Sequence, residues 1–516
     1  MLPSEYLSEI AHLLTLKGES PFKTRAFENA SEALARVESD PDQGMQALVA
    51  MARAQDWSAI KGIGKGIAAV LDELLIQKAT LTRDELRAGL PEGLLELCRV
   101  PGLGPKKAHA LIESLGVRSL AELDYAIREN RLVALKGFGE KLQTKLGEGV
   151  RFLLAGAGKL RLDQALAVWA DTEKAGDQVL VGELARYCEV VTQLEFVAPK
   201  DVKPRERWSR TVTDAHIAGV RAHADREKFS WDAAWTAFGN HGEEKRFYGD
   251  LGLPWIPPEC REDGSEVAFF AARKDPVGWD AIQGFFHFHT EASDGANTLE
   301  EMVAAASKRG YRYVGVSEHS QSAFYARGLG EDALKNQRRE VDRVRALHPE
   351  VDLFWGIESD ILKDGSLDYP DRVLAEFDFV IASIHSRFGM DRTAMTERLV
   401  RAIENPRTTL IGHLSGRLIL GRPGFDWDHE TVLQSALNAG VALELNAHPA
   451  RLDLEWQVGR VWSAMGGVTA INPDAHEIAG LDHMTYGIAH GRKSLFPASQ
   501  VLNTWSVERV SEWLRG

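Results

Sequence analysis

At 516 residues, with 44% hydrophobic and 26% charged residues, the chain has a globular composition and is too long for one hydrophobic core. No apolar run is long enough to span a bilayer, and the N-terminus carries Glu5 and Glu9 where a secretory signal would be basic. Three scattered cysteines argue against a disulfide framework and suit a reducing compartment. We therefore expect a cytoplasmic protein with no membrane contact.

The net charge of −14 is unevenly distributed. Residues 1–161 contain 22 Lys+Arg and 21 Asp+Glu, so almost the whole excess of acid lies in the rest of the chain. A near-neutral front with local basic clusters is compatible with binding phosphates, and an acidic rear with binding divalent metals. Charge alone leaves the partner open.

Three short glycine motifs recur in the front third of the chain. They read IKGIGKGIA at 60–68, VPGLGPKKA at 100–108 and LKGFGEKLQ at 135–143, and each leads into a helix-like run. A single GxG motif most often only ends a helix, but three copies at near-regular spacing, each beside lysines, indicate helix-hairpin-helix units.

These units predict sequence-independent DNA binding. Backbone amides at the start of the following helix favour a phosphate, and the neighbouring lysines attract any phosphate backbone. The expected DNA-binding residues are Gly62, Gly64, Lys65, Gly102, Gly104, Lys106, Lys107, Gly137, Gly139 and Lys141.

The run GELARYCEVVTQLEFV at 182–197 raises a separate question. Gln193 and Glu195 are two apart, so on a strand their side chains would point to the same side. Two carboxylates so placed can hold a pair of metal ions for phosphoryl transfer, but here one of the two is an amide. Taken alone, the run is compatible with an active site, a former active site or an ordinary strand.

From residue 284 onward, short β-prone runs alternate with helix-like stretches, which predicts a parallel β/α barrel of seven strands. The runs are GFFHFHTEASDG (284–295), YVGVSEHS (313–320), LFWGIESD (353–360), FVIASIHS (379–386), TLIGHLSG (409–416), VALELNAHP (441–449) and VTAINPDAH (468–476). Each run ends near a His, Asp or Glu, and in such barrels the strand C-termini converge on the face that carries the active site.

Eleven of the 16 histidines lie in this part of the chain, which predicts a metal centre. The predicted ligands are His287, His289, Asp294, His319, Glu358, His385, His413, Asp474 and His476. Six imidazoles and three carboxylates suit Zn²⁺, Mn²⁺ or Fe²⁺ rather than Ca²⁺ or Mg²⁺, and nine ligands imply two to three ions. Glu358, the central carboxylate, is expected to bridge two of them.

The other histidines of this region are interpreted as ordinary buried or surface residues, since that is the commoner role of any single histidine. They are His348, His429, His483 and His490. His448, in NAHP, also lies near a strand end and stays open.

The nine-ligand set resembles the polymerase-and-histidinol-phosphatase (PHP) domain, a seven-stranded barrel with a trinuclear metal centre. KGESPFKTRAFENA (17–30) with the first glycine motif resembles the N-terminal domain of bacterial family X DNA polymerases, and MTERLVRAIENP (395–406) resembles the PHP domain fused to them. The resemblance implies that Arg417 and Arg451 contact substrate phosphate, although structural salt bridges explain these arginines equally well.

The same resemblance implies a polymerase palm between about residues 160 and 260. In the family a Gly-Ser pair binds the nucleotide phosphates and two aspartates hold Mg²⁺; here Glu183 stands at the serine position. The degenerate site would comprise Gly182, Arg186, Gln193 and Glu195. A third aspartate, expected on a strand near 220–224, is also missing from VRAHA. We therefore expect a palm that has lost polymerase activity, because one glutamate cannot hold two Mg²⁺ ions.

The expected fold is multidomain α and α/β, with helix-hairpin-helix domains, a degenerate nucleotidyltransferase-like α+β palm and a C-terminal PHP (β/α)7 barrel. The expected domains are 1–80 (N-terminal helix-hairpin-helix), 81–158 (fingers-like), 159–262 (palm, thumb-like region and linker) and 280–516 (PHP). Lys61 and Lys65 are the positions to test for the Schiff-base chemistry of some family members, and phosphate binding is the alternative role.

The predicted function is a metal-dependent 3′–5′ exonuclease in DNA repair, with abasic-site or 3′-end processing as a variant, acting on gapped or 3′-ended DNA. The expected catalytic residues are Glu358, His287, His289 and Asp474. Two alternatives are a PHP phosphatase acting on a small phosphomonoester and a non-enzymatic DNA-binding scaffold. The glycine motifs disfavour the first, and the complete ligand set disfavours the second.

Overall fold

The computed structural model describes residues 2–38, 44–91, 93–128, 131–172, 178–198 and 201–515. The chain forms two compact units, Met1–Ala157 and Gly158–Gly516. In the described residues, no helix combines the length and the apolar character needed to cross a membrane.

The first unit is helical. Its helices are α1 (Pro3–Leu16), α2 (Pro21–Glu38), α3 (Gly44–Ala54), α4 (Lys65–Leu75), α5 (Leu81–Ala88), α6 (Leu94–Leu97), α7 (Pro105–Leu115), α8 (Leu120–Arg128) and α9 (Glu140–Gly156). Two separate apolar cores hold them together, one built around α1 to α4 and the other around α6 to α9. The amphipathic spacing of leucine, isoleucine and alanine along these helices supplies both cores.

All three glycine motifs adopt the same turn. The first glycine of each has a positive φ, of 98° at Gly62, 86° at Gly102 and 91° at Gly137, a region in which other residues are strained. The second glycine is the N-cap of the next helix, so α4, α7 and α9 start with backbone N–H groups that no capping side chain occupies. The third motif differs in what comes directly before it, which is a short 3₁₀ turn, Leu132–Ala134.

The second unit begins with two short antiparallel strand pairs. β1 (Leu160–Arg161) pairs with β3 (Val190–Val191), and β2 (Val179–Leu180) pairs with β4 (Phe196–Val197). Two short helices, α10 (Leu162–Thr172) and α11 (Gly182–Ala185), lie between these strands. We call the described residues between 160 and 197 the palm remnant.

The expected strand through 193 and 195 is wrong. A bend separates β3 from β4, so Gln193 and Glu195 lie outside both strands and their spacing does not make them neighbours on one face. The expected strand near 220–224 is also wrong, because those residues lie within a helix. Residues 190–197 form two very short strands separated by a bend, and residues 220–224 are helical.

A helical segment follows, made of α12 (Pro204–Arg210), α13 (Asp214–Glu227), α14 (Trp231–His241), α15 (Glu244–Asp250) and α16 (Glu266–Ala271). Its core is aromatic, with Trp208 fully buried among Phe238, Phe247 and Tyr248. The buried His216 ring lies between Glu266 and the Tyr248 hydroxyl, at 2.6 and 2.8 Å, so this core also contains a satisfied polar network.

The rest of the unit is a barrel of seven parallel strands, as predicted. They are β5 (Gly284–Phe285), β6 (Tyr313–His319), β7 (Asp352–Asp360), β8 (Phe379–Ser383), β9 (Leu410–Ile411), β10 (Ala442–Asn446) and β11 (Thr469–Asn472). The strands are ordered β11-β10-β9-β8-β7-β6-β5, and an isolated bridge between Phe288 and Ala475 brings the two ends of the sheet together. The barrel is therefore nearly closed.

Helices cover the outside of the barrel, and the strands are buried on both faces. The helices are α17 (Leu299–Lys308), α18 (Glu331–Leu347), α19 (Asp371–Leu374), α20 (Arg392–Ile403), α21 (His429–Ala439), α22 (Trp456–Met465), α23 (Met484–Lys493) and α24 (Val507–Arg515). Because all strands run in the same direction, the residues at their C-terminal ends meet on one face.

Candidate metal centre

The side chains predicted as metal ligands come together at the C-terminal face of the barrel. Within the described residues, three groups offer ligand atoms that lie within 4.8 Å of one another: His289, Asp294, His319 and His476; His287, His289 and Asp474; and His319, Glu358 and His385. The groups share His289 and His319, so they form one continuous cluster. His413 belongs to none of these groups but lies beside Glu358.

Glu358, two residues before the end of β7, lies at the centre of this cluster. One carboxylate oxygen is 2.9 Å from His413 Nε2, 3.3 Å from His385 Nε2 and 3.5 Å from His287 Nε2, and the other is 2.8 Å from His319 Nδ1. A single carboxylate thus faces histidines from four other strand ends, which is the arrangement expected of a bridging ligand.

Two aspartates complete the cluster on its other side. Asp474 Oδ1 is 3.3 Å from His289 Nε2 and 3.4 Å from His287 Nε2. Asp294 lies 3.4 Å from Nε2 of both His319 and His476. His413 and Asp474 have positive φ values of 25° and 49°, and such strain in residues other than glycine is typical of functional sites.

The donor set fits divalent metal ions. Nε2 of His287 and both ring nitrogens of His289 are buried and make no hydrogen bond within the described residues. Buried polar atoms without a partner are costly, whereas imidazole nitrogens and carboxylates held a few ångströms apart are suited to Zn²⁺, Mn²⁺ or Fe²⁺.

The electrostatics of the cluster differ from ligand to ligand. Against the effect of burial, neighbouring carboxylates raise the pKa of His287 and His319, whereas His289 and Glu358 are held in their metal-binding forms. Burial, together with His319 and His476, lowers the pKa of His289 to about 3, so this ring is neutral at pH 7. Burial opposes ionisation of Glu358, but the surrounding histidines hold its pKa well below the usual range. A neutral imidazole and an ionised carboxylate are the forms that bind a metal.

Two residues that sequence reasoning missed support the cluster from behind. Glu444, in the middle of β10, lies 2.6 Å from His287 Nδ1 and accepts hydrogen bonds from the backbone of His413 and from Asn472. Asp360, the last residue of β7, lies 2.6 Å from His385 Nδ1. Each carboxylate leaves the Nε2 of its histidine directed at the cluster. A charged residue inside an apolar strand was the available signal for Glu444.

The two arginines expected at the substrate phosphate occupy different environments. Arg451 Nε lies 3.6 Å from Asp474, at the edge of the cluster. Arg417 is buried and donates two hydrogen bonds to Glu189 of the palm remnant, at 3.0 and 2.8 Å. The sequence left two roles open for Arg417, a phosphate contact and a structural salt bridge. The contact with Glu189 is such a salt bridge.

His448, which the sequence left open, lies outside the three ligand groups. Its ring packs 4.8 Å from the ring of His483, and burial lowers its pKa to about 4.

The residues of the degenerate polymerase site do not form a metal cluster. Gly182 has a φ of 65° and packs against Glu195, and Arg186 pairs with Glu262 at 3.2 Å. Gln193 is exposed, and among the groups of three or more ligands found in the described residues none includes Gln193 or Glu195.

Protein-family models match three parts of this chain. A helix-hairpin-helix domain family matches residues 2–79, a tandem helix-hairpin-helix family matches 94–146, and the PHP domain family matches 286–448. The PHP match contains the ligands from β5 to β9 and ends before Asp474 and His476.

Individual relatives cover the chain to different extents. A probable phosphatase of Aliivibrio fischeri is 31% identical over 38% of this chain and 78% of its own length. The crystal structure of histidinol phosphate phosphatase from Lactococcus lactis, complexed with zinc, L-histidinol and phosphate, is 17% identical and covers 42% of this chain and 94% of its own, with a TM-score of 0.32.

One relative matches along the entire chain. The DNA polymerase/3′-5′ exonuclease PolX of Bacillus subtilis is 33% identical over 99% of this chain and 98% of its own length. With the helix-hairpin-helix and PHP matches in the same order along the sequence, the chain belongs to the PolX family of proteins that carry a PHP domain.

Proposed function

We propose that this protein is a metal-dependent phosphoesterase that degrades DNA from the 3′ end and has lost polymerase activity. The observation that carries the proposal is the convergence of nine candidate ligand side chains from six strand ends, in a chain related over its whole length to a DNA polymerase/3′-5′ exonuclease. The proposed ligands are His287, His289, Asp294, His319, Glu358, His385, His413, Asp474 and His476.

Two to three divalent ions bound there would supply hydroxide near neutral pH and offset negative charge on the phosphate. The protein's own residues would hold the ions and orient the ligands and the phosphate. Glu444 and Asp360 would fix the tautomers of His287 and His385, and Glu358 would join the ligand groups. Arg451, which lies beside Asp474, would orient a phosphate oxygen. The proposed catalytic residues are Glu358, His287, His289 and Asp474.

The helix-hairpin-helix turns are the proposed grip on DNA. Lys65, Lys106 and Lys141 are exposed beside helices whose first N–H groups are uncapped, a combination that favours a phosphate of any sequence. We propose gapped or 3′-ended DNA as substrate, a role in DNA repair, a cytoplasmic location and the domain boundaries 1–80, 81–158, 159–262 and 280–516.

One experiment tests the nuclease. Purified protein is incubated with Mn²⁺ and 5′-labelled single-stranded, gapped or abasic DNA, beside the double variant His287→Ala/His289→Ala. We expect a ladder of shortened products from the wild type and intact DNA from the variant. Intact DNA in both, with turnover of p-nitrophenyl phosphate or histidinol phosphate, would favour the small-molecule phosphatase instead, and absence of any hydrolysis would favour the DNA-binding scaffold.

The loss of polymerase activity has its own test. Given a primed template, dNTPs and Mg²⁺ or Mn²⁺, the His287→Ala/His289→Ala variant should not extend the primer, because Gln193 and Glu195 do not present a carboxylate pair. Using this variant prevents degradation of the primer from masking extension. Extension that disappears in a further Glu195→Gln variant would show that this glutamate still serves as a metal ligand.

A further inference from the structure

The palm remnant packs directly against the rim of the barrel. Leu184 and Val191 of the remnant form one buried apolar cluster with Ile419 and Leu452, which lie in the loops after β9 and β10. The backbone of the remnant is fixed at this point, because Glu189 O accepts a hydrogen bond from Leu162 N at 3.2 Å next to the β1–β3 pair. The remnant is therefore in direct contact with two of the loops that follow the barrel strands.

At the centre of this contact, Glu189 holds Arg417. The carboxylate accepts two hydrogen bonds from the guanidinium, at 3.0 and 2.8 Å, and the arginine side chain is 9% exposed. Burial opposes ionisation of Glu189, but Arg417 keeps its pKa below the ordinary value, so the pair is charged at pH 7. A paired, bidentate geometry at a buried position is the strong form of this interaction.

Arg417 also bonds the backbone of the loop that carries Arg451. Its Nε donates to Arg451 O at 2.9 Å, and Nη2 donates to Leu452 O. Leu452 has a φ of 40°, so its loop is held in a strained conformation. The Arg451 side chain on the same loop lies 3.6 Å from Asp474, a predicted metal ligand.

We propose that Glu189 is a positioning residue for the metal centre, acting through Arg417 on the loop that places Arg451. On this view the palm remnant no longer serves nucleotidyl transfer and instead helps to position residues of the PHP active site. The inference rests on the proposed exonuclease function.

The test uses the full-length protein with Mn²⁺ and a 5′-labelled single-stranded oligonucleotide. The variants are Glu189→Gln, Glu189→Asp, Arg451→Ala and the double variant Glu189→Gln/Arg451→Ala. Glu183→Gln is the matched control, since Glu183 accepts hydrogen bonds from Thr192 and Gln193 within the remnant itself. Mn²⁺ stoichiometry and melting temperature are measured for each protein.

We expect Glu189→Gln to lower kcat/KM about 10-fold, the lower end of the effect of removing a residue that orients an active-site group. Glu189→Asp should recover part of the loss, Glu183→Gln should stay within about 2-fold of the wild type, and Mn²⁺ stoichiometry should not change. Glu189→Gln is expected to act by displacing Arg451, the side chain that Arg451→Ala removes. The double variant should therefore have a kcat/KM no lower than that of Arg451→Ala.

Additive losses in the double variant would overturn the proposal, and so would wild-type kinetics of Glu189→Gln. A loss of bound Mn²⁺ or a lower melting temperature that accounts for the whole effect would instead reduce Glu189 to a purely structural role, and would also overturn it. A wild-type protein that hydrolyses no DNA would refute the proposed function, which is a different result from any of these.

Discussion

Glu444 shows how one residue in the interior of a strand prepares a ligand at the strand ends. Its side chain is fully buried, yet its carboxylate is satisfied by His287, by the backbone of His413 and by Asn472. The carboxylate holds the Nδ1 proton of His287, so that Nε2 faces the cluster.

We therefore predict that Glu444→Gln weakens metal binding. Removing the negative charge behind His287 lowers its basicity, and loss of such a partner typically costs about 10- to 100-fold in metal affinity. The measurement is a competition titration of the Mn²⁺-loaded protein with a chelator. The matched control is Glu430→Gln, which changes an exposed glutamate on α21 and should leave the titration unchanged. Equal Mn²⁺ affinity of the wild type and Glu444→Gln would show that Glu444 only fills space.

At the residue scale, the buried His490 should also make the stability of the protein depend on pH. Burial lowers its pKa to about 4; Nε2 donates to Leu454 O at 3.0 Å, and Nδ1 has no hydrogen-bond partner in the described residues. A depressed pKa means that the unfolded state binds the proton first, so stability is constant above pH 6.5 and falls as the pH drops from 6.5 towards 4.

At pH 5 this group should cost about 2 kcal/mol of unfolding free energy relative to pH 7.5. Urea unfolding at both pH values, compared with His490→Gln, isolates this part, because the glutamine cannot titrate. The variant should lose less stability between the two pH values than the wild type does. Equal losses of unfolding free energy in the wild type and His490→Gln would show that groups other than His490 cause the acid sensitivity.

At the scale of elements, the two glycines of each glycine turn have different conformations and different roles. In each motif the first glycine has a positive φ and the second is an N-cap with an ordinary negative φ. A Cβ added at Gly62 or Gly64 would meet no atom within 4 Å, so any cost of substitution comes from the backbone alone.

Gly62→Ala should therefore destabilise the first turn by about 1 kcal/mol, and Gly64→Ala by clearly less, because only Gly62 needs the left-handed conformation. Hydrogen exchange of peptides covering α4 measures both changes in the full-length protein. Anisotropy with labelled DNA should show weaker binding for Gly62→Ala if the turn presents amides to a phosphate. An equal loss of protection in the two variants would contradict the assignment of strain to Gly62.

At the scale of the whole molecule, the ligand atoms of the metal centre all belong to Gly158–Gly516. We predict that removal of metal with EDTA destabilises that unit and leaves Met1–Ala157 unchanged. A bound ion stabilises the folded state by about 2.7 kcal/mol when its free concentration is 100 times its Kd.

Hydrogen exchange with and without Mn²⁺ measures this. Protection should rise in peptides from the barrel and stay constant in peptides from α1 to α9, and the His287→Ala/His289→Ala variant should show neither change. An equal gain of protection in both units would mean that metal binding also involves the helical unit.

Much of this molecule is determined by local sequence. Strand-forming runs that end in His, Asp or Glu predict both the barrel and its ligands, because the direction of a parallel strand alone decides which face its last residue joins. The glycine turns are equally local, since a left-handed residue followed by an N-cap can be recognised within nine letters. The structure places all seven predicted strands in one sheet and brings the predicted ligands together.

The tertiary structure alone decided how distant segments support the site. Gln193 and Glu195 resembled one strand because an apolar run does not reveal a bend. For Arg417 the sequence left a phosphate contact and a structural salt bridge open, and the structure pairs its guanidinium with Glu189, 228 residues earlier in the chain. Pairing between residues so far apart depends on how the chain packs, and no periodicity records it. The sequence by itself determined the chemistry of the metal centre, whereas the packing of the palm remnant against the barrel decided which residues hold that chemistry in place.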